Sequence, residues 1–360
     1  MSRKPVLLLL IVAALLLALA GCGAPVAARP TVPARPTMAL SPGERGDLTD
    51  EQVITLNSLV KVDDYPLYVM HHYGPYAEHA AAVAPPDAVP AVEALLPACS
   101  LFAALGDPES LLYGRGFDWH YSPALLLFTY PPDGYASVSM VELNHWFGAD
   151  QLRALDERAR DERWLLERRA LLSTPLYPYD GMNEHGLAVG MAAVPATEMP
   201  HSPLKRNIDS LGVIREMLDH ARTVDQAVDI LSRYNVRWGG GPPLHYLIAD
   251  AAGRAVLVEF DRGRMIQIPN AQPWHLATNH LRTLVSAAHP AGCWRYEAIE
   301  ERLEQAAGRL SAQEAMDLLA AVSVPDTQWS VVYGIHDRRV HVVMGRQYDR
   351  VHTWDLGVQE

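Results

Sequence analysis

Residues 98–119 place a cysteine, an arginine and an aspartate where they could build a nucleophile. Arg115 follows Cys99 by sixteen residues and Asp118 follows it by nineteen. A thiol attacks only as its thiolate, so a catalytic cysteine needs a base or a cation beside it. Arg115 is a permanent cation. Two strand-like segments, 99–105 and 111–117, flank the turn signal Gly106-Asp107-Pro108. That pattern predicts a hairpin that returns Arg115 and Asp118 to the side of Cys99. Taken alone, it also fits a small buried cysteine in a strand.

Other short runs follow in order: Asp180-Gly181-Met182-Asn183-Glu184-His185-Gly186-Leu187, then Thr278-Asn279-His280, Gly292-Cys293-Trp294-Arg295-Tyr296 and Trp329-Ser330-Val331-Val332-Tyr333. Together with the Cys99 spacing they resemble the choloylglycine hydrolase and penicillin V acylase family, linear amide C–N hydrolases of the N-terminal-nucleophile superfamily. The resemblance covers about residues 95–350, and Gly116 departs from it where the family usually has asparagine. It implies a cysteine amidase activated by autocleavage of the Ala98–Cys99 bond, with the freed α-amine as general base. It also implies roles: Arg115 to steady the thiolate, Asp118 to hold the α-amine, the Asn183 N–H and the Asn279 side chain to bind the oxyanion, and Arg295 near the site. The partner is then a small-molecule acyl amide whose acyl and amine parts stay open, with Phe128, Met140, Trp146, Phe147, Met182 and Met191 available to line an apolar pocket. Acyl transfer to an amine, or a non-catalytic lipid-anchored binding or scaffold protein on the same fold, are the alternatives.

The elements needed to position these groups are legible as blocks. Strands are predicted at 124–129, 136–142, 187–194, 244–249, 255–260, 265–268, 274–279, 328–335 and 340–345, and helices at 48–60, 149–172, 208–221, 224–234 and 294–307. Asp50 is a candidate N-cap, and Thr223 with Gln226 and Ser311 with Glu314 read as capping boxes. Strand blocks separated by helix pairs favour an α+β fold with antiparallel sheets, which the resemblance sharpens to a four-layer α-β-β-α sandwich.

The chain of 360 residues is 49% hydrophobic, with a formal net charge of −12, which argues against nucleic acid as a partner. Three cysteines exclude a disulfide framework or a cysteine-built zinc site. His71, His72 and His79 lack metal-ligand spacing, and no cofactor motif occurs. Arg3 and Lys4 precede an apolar run at 6–20 that closes on Leu19-Ala20-Gly21-Cys22, read as a signal peptide. The ending resembles a bacterial lipobox with Cys22 lipidated, which implies an extracytoplasmic protein held on a cell or outer membrane. The expected organisation is a signal peptide at 1–22, a Pro-rich tether at 23–47, a propeptide or small subunit at 48–98 and the amidase domain at 99–350.

Overall fold

The computed structural model describes residues 46–76, 98–144, 147, 167–195, 198–238, 241–284 and 292–357. The expected signal peptide, Cys22, most of the tether, the loop before Cys99, His79, Trp146 and most of the 149–172 helix lie outside them. In chain order the first strands are β1 (Val60–Asp63), β2 (Leu67–Tyr73), β3 (Ser100–Ala104), β4 (Leu112–Asp118), β5 (Ala124–Tyr130), β6 (Ser137–Glu142), β7 (Asp180–Asn183) and β8 (Ala188–Ala193). They continue as β9 (Arg206–Asp209), β10 (Tyr234–Arg237), β11 (Leu244–Ala249), β12 (Ala255–Asp261), β13 (Arg264–Pro269), β14 (Trp274–Ala277), β15 (Thr327–Gly334), β16 (Arg339–Met344) and β17 (His352–Asp355). The helices are α1 (Asp50–Asn57), α2 (Gly212–His220), α3 (Val224–Ser232), α4 (Trp294–Gln305) and α5 (Ala312–Ala321), with 3-10 segments at Glu167–Leu176 and Arg282–Leu284.

Nine strands form one sheet in the order β1-β2-β5-β6-β7-β8-β11-β12-β13, and six form another, β14-β3-β4-β15-β16-β17. The pairings are antiparallel except β2 with β5 and β9 with β10. Both faces of each central strand are covered, which is why Ala124-Leu-Leu-Leu-Phe-Thr in β5 is buried throughout instead of alternating. Along β3, Leu101 and Ala103 enter the core between the sheets while Phe102 and Ala104 pack with residues of α4 and α5. The outer face of the large sheet packs on α2 and α3 at one side and on α1 and the 167–176 segment at the other. The result is the α+β, four-layer α-β-β-α order.

The structure corrects several boundaries. Thr49, not Asp50, caps α1 and closes a box with Gln52. Ser311 and Glu314 close their box on α5, whereas Gln226 accepts the Arg222 N–H and leaves the Thr223 box one-sided. Residues 167–176 are a 3-10 segment containing Pro175, not the end of a regular α-helix. Short β9, β10 and β17 replace expected helix ends and loop.

Gly190 on β8 lies close against the small sheet: an added Cβ would stand 2.8 Å from Leu101 Cδ2, 2.8 Å from Tyr113 Oη and 3.3 Å from Asp180 Cβ. Gly190→Ala should therefore force the sheets apart and destabilise the protein by ~1–3 kcal/mol, read as a lower denaturant midpoint.

Candidate active site

Cys99 immediately precedes β3, is fully buried and belongs to the core between the sheets. Leu101 pairs with Arg115 on one side and with Ala277 on the other. Extending both antiparallel registers by two residues sets Phe117 and Asn279 to either side of Cys99. Groups 180 residues apart in sequence thus converge because β3 lies between β4 and β14.

Arg115 crosses from the small sheet to the large one. Its Nη1 donates to Asp180 Oδ2 at 2.7 Å, with both side chains fully buried, and its Nη2 donates to the Met191 carbonyl at 3.4 Å. Tyr333 Oη donates to the other Asp180 oxygen at 2.5 Å. The guanidinium lies 4.7 Å from the Phe117 ring centre and 5.7 Å from that of Trp329. Burial works most strongly against the charge of Arg115, but Asp180 together with Cys99, Tyr113 and Tyr333 outweighs it and raises the pKa further. Asp180 opens the second sequence motif, yet its side-chain role was not foreseen.

Arg295, in the first turn of α4, gathers the remaining groups. Its Nη1 donates to the Cys99 carbonyl at 2.6 Å and to Ser100 Oγ at 3.0 Å, and lies 3.7 Å from Asp118 Oδ2. Its Nη2 donates to Asn279 Oδ1 at 3.1 Å. Asp118 also accepts from Thr327 Oγ1 at 2.5 Å. Burial pushes the Asp118 carboxyl up to about 6, partly opposed by Thr327, Arg295 and Arg115.

Asn279 Nδ2 donates to the Ala193 carbonyl at 2.9 Å. The Val194 N–H donates to Pro243, so the polar groups of Val194 face β11. Strand alternation then turns the carbonyl and the N–H of Ala193 away from β11, and the carbonyl meets Asn279. Asn183, by contrast, is not part of this cluster, which corrects the expectation that its N–H faces an oxyanion. That N–H donates to the Leu187 carbonyl at 3.0 Å within the β7–β8 hairpin. The Asn183 side chain accepts from the His185 and Leu187 N–H groups and donates to the carbonyls of Leu218 and Ala221, so it fastens the hairpin to the end of α2. A backbone group such as that of Ala193 has no residue-type signature by which sequence could reveal its place beside Asn279.

Burial pushes the Cys99 thiol up; Arg115 lowers it, the Asp118 carboxylate raises it, and the Asp118 N–H and Arg295 lower it, leaving it above its ordinary value. In the uncut chain Cys99 is therefore a thiol at neutral pH. Burial also raises half-buried Cys293, but hydrogen bonds from His280 and Thr278 together with Arg295 outweigh it and lower that thiol. Both cysteines are free. Phe128, Met140 and Met182 share the inter-sheet core with Cys99, and Met191 touches Arg115. Phe147 instead packs with Leu143 and Leu171 on the outer face of the large sheet, away from Cys99. Glu142, beside Tyr179, is pushed up to about 7 by burial. Among the described residues no three His, Cys, Asp or Glu are gathered as metal ligands would be.

The chain matches the family model for acyl-coenzyme A:6-aminopenicillanic acid acyl-transferase over residues 178–348. It is similar to the structures of two variants of a conjugated bile acid hydrolase from Clostridium perfringens. One is 15% identical with a TM-score of 0.51 and covers 73% of this chain and 93% of that one; the other is 13% identical with a TM-score of 0.50 and covers 73% and 94%. A penicillin V acylase from Agrobacterium tumefaciens is 15% identical over 72% of this chain and 86% of its own, with a TM-score of 0.49. The likeness to the bile acid hydrolases is one of fold.

Two outcomes follow from the geometry. Asp180→Asn strands the Arg115 charge in the core and should cost ~3–5 kcal/mol of stability, measured by urea unfolding. In uncut full-length protein treated with iodoacetamide at pH 7, Cys293 should be alkylated well before Cys99, and peptide mapping should show the difference vanish in urea.

Proposed function

We propose that the chain is a cysteine N-terminal-nucleophile hydrolase that cleaves a linear amide C–N bond after freeing Cys99. The observation that carries this reading is the convergence on one buried cysteine of Arg115, Asp118, Asn279 and Arg295, drawn from three different segments. Acting on its own precursor, the Cys99 thiol attacks the Ala98 carbonyl, the C–N bond breaks as the C–S bond forms, and water hydrolyses the thioester. The liberated α-amine is less basic than a lysine and takes the thiol proton, so nucleophile and base share one residue.

In the second reaction the thiolate attacks the substrate carbonyl. One oxyanion donor is the second N–H of Asn279 Nδ2, whose orientation is fixed by Ala193 and Arg295; the other is the Ala193 N–H. Asp118 holds the new ammonium group, and Arg115 lowers the thiol pKa from within the core. The α-amine protonates the departing amine, and water releases the acyl group. Phe117, Tyr179 and Trp329, packed together beside Arg115, favour an apolar acyl group. The matched family model is described as an acyl-transferase, which supports a second reading in which an amine replaces water in the last step.

We infer that Cys22 is lipidated on the outer side of a cell membrane or outer membrane and that the piece before Cys99 stays docked. In support, β2 pairs with β1 on one edge and with β5 along seven residues on the other. Tyr65 Oη donates to Gln328 at 2.7 Å, and Asp63 joins His352 at 2.6 Å.

Mass and N-terminal sequence of full-length protein should show a fragment beginning at Cys99 that is absent from Cys99→Ala. Both fragments should remain with the membrane; a Cys99 fragment released in soluble form would refute the docking. Release of amine from acyl 4-nitroanilides should require Cys99, and a Cys99→Ser protein with full activity would overturn the mechanism. Adding a primary amine and finding a new acyl amide would favour transfer over hydrolysis.

A further inference from the structure

A further buried carboxylate stands next to the oxyanion segment, and the mechanism above does not use it. Glu259, on β12, is fully buried, as is its partner His245 on β11. Glu259 Oε1 accepts the Arg282 N–H at 2.6 Å, and Oε2 accepts the Thr283 N–H at 3.0 Å. His245 Nδ1 lies 3.3 Å from Oε1. An ionised carboxylate can only accept, so this nitrogen carries the proton. The other ring nitrogen of His245 is buried without a partner, which leaves Glu259 as the polar anchor of the imidazole. Burial pushes the Glu259 carboxyl up, but His245 and the two N–H groups outweigh it and hold it below its ordinary value.

We propose that Glu259, braced by His245, is a positioning residue for Asn279. The inference rests on the oxyanion role given to Asn279 above. Residues 278–281 form a bridge with two fixed ends. At the near end, Ala277 pairs with Leu101. At the far end, the 3-10 turn Arg282–Leu284 presents two successive N–H groups to one carboxylate. Arg282 also hydrogen-bonds to the hydroxyl of Tyr296 and lies 4.8 Å from its ring centre. Tyr296 adjoins Arg295 in α4, so the anchored turn also steadies the guanidinium that fixes Asn279 Oδ1. Without the Glu259 charge, the turn loses its anchor and the backbone of Asn279 is held from one end only. An oxyanion donor misplaced by about an ångström can cost ~10²-fold in rate.

The test is a double-mutant cycle on full-length, detergent-purified protein with acyl 4-nitroanilides as probes. Asn279→Ala alone should lower kcat by ~10²-fold or more. Glu259→Gln alone should lower kcat by up to ~10²-fold with KM little changed, and in the Asn279→Ala background it should cost nothing further. His245→Ala, which leaves the carboxylate and its two backbone bonds in place, should show a smaller loss that also disappears in that background, and it keeps the test open should Glu259→Gln fail to fold. Losses that multiply in the double variants, or an unchanged kcat in Glu259→Gln, would overturn the inference and leave the oxyanion reading intact. An unchanged kcat in Asn279→Ala would overturn the oxyanion reading itself, and this inference with it.

Discussion

A guanidinium sealed between two sheets has to be matched where it sits, because water cannot reach it. Arg115 is matched by Asp180 from the opposite sheet, and this one contact fixes how the two sheets face each other beside Cys99. Tyr333 occupies the remaining Asp180 oxygen, and Phe117 and Trp329 supply aromatic faces to the cation. The arrangement leaves little freedom: a slip of β4 by one residue would turn Arg115 toward the α4–α5 layer and Asp118 into the core.

The site is thereby divided by polarity. On the inner face of β3 and β4, Cys99 meets a buried cation among aromatic rings. On the outer face, Asp118, Ser100 and Arg295 make a hydrogen-bonded cluster under α4. The backbone of Cys99 joins the two, since its carbonyl is held by Arg295 while its thiol looks inward. Such a division lets the Cys99 thiol sit in apolar surroundings and still have its main chain gripped by charge.

What sequence could reveal depended on whether a role resides in spacing or in packing. Cys99, Arg115 and Asp118 were legible because a hairpin with a clear turn converts linear separation into proximity. Arg295 and Asn279 were legible only through the order of short motifs, and the structure brings them together by α4 packing over β3 and β14. The role of Asn183 was misread because its side chain does a visible structural task in the hairpin, and polar residues between glycines look alike whichever task they serve. Asp180 carries no local sign of its role, since its partner lies in the other sheet. Short exposed β9 and β17 escaped for a simpler reason: with few buried side chains they carry almost no alternation.

β2 lies inside the large sheet, with a neighbour on each side, and comes from the part of the chain before Cys99. While the peptide bond at Cys99 is whole, that strand finds its slot as part of the same molecule, at a cost set by loop closure. Were that bond cut as proposed, the same slot would have to be refilled from solution, and recovery from unfolding would become second order and dependent on protein concentration. A precursor could fold repeatedly; the mature form would in effect be assembled once, with a lifetime governed by how slowly its strand leaves.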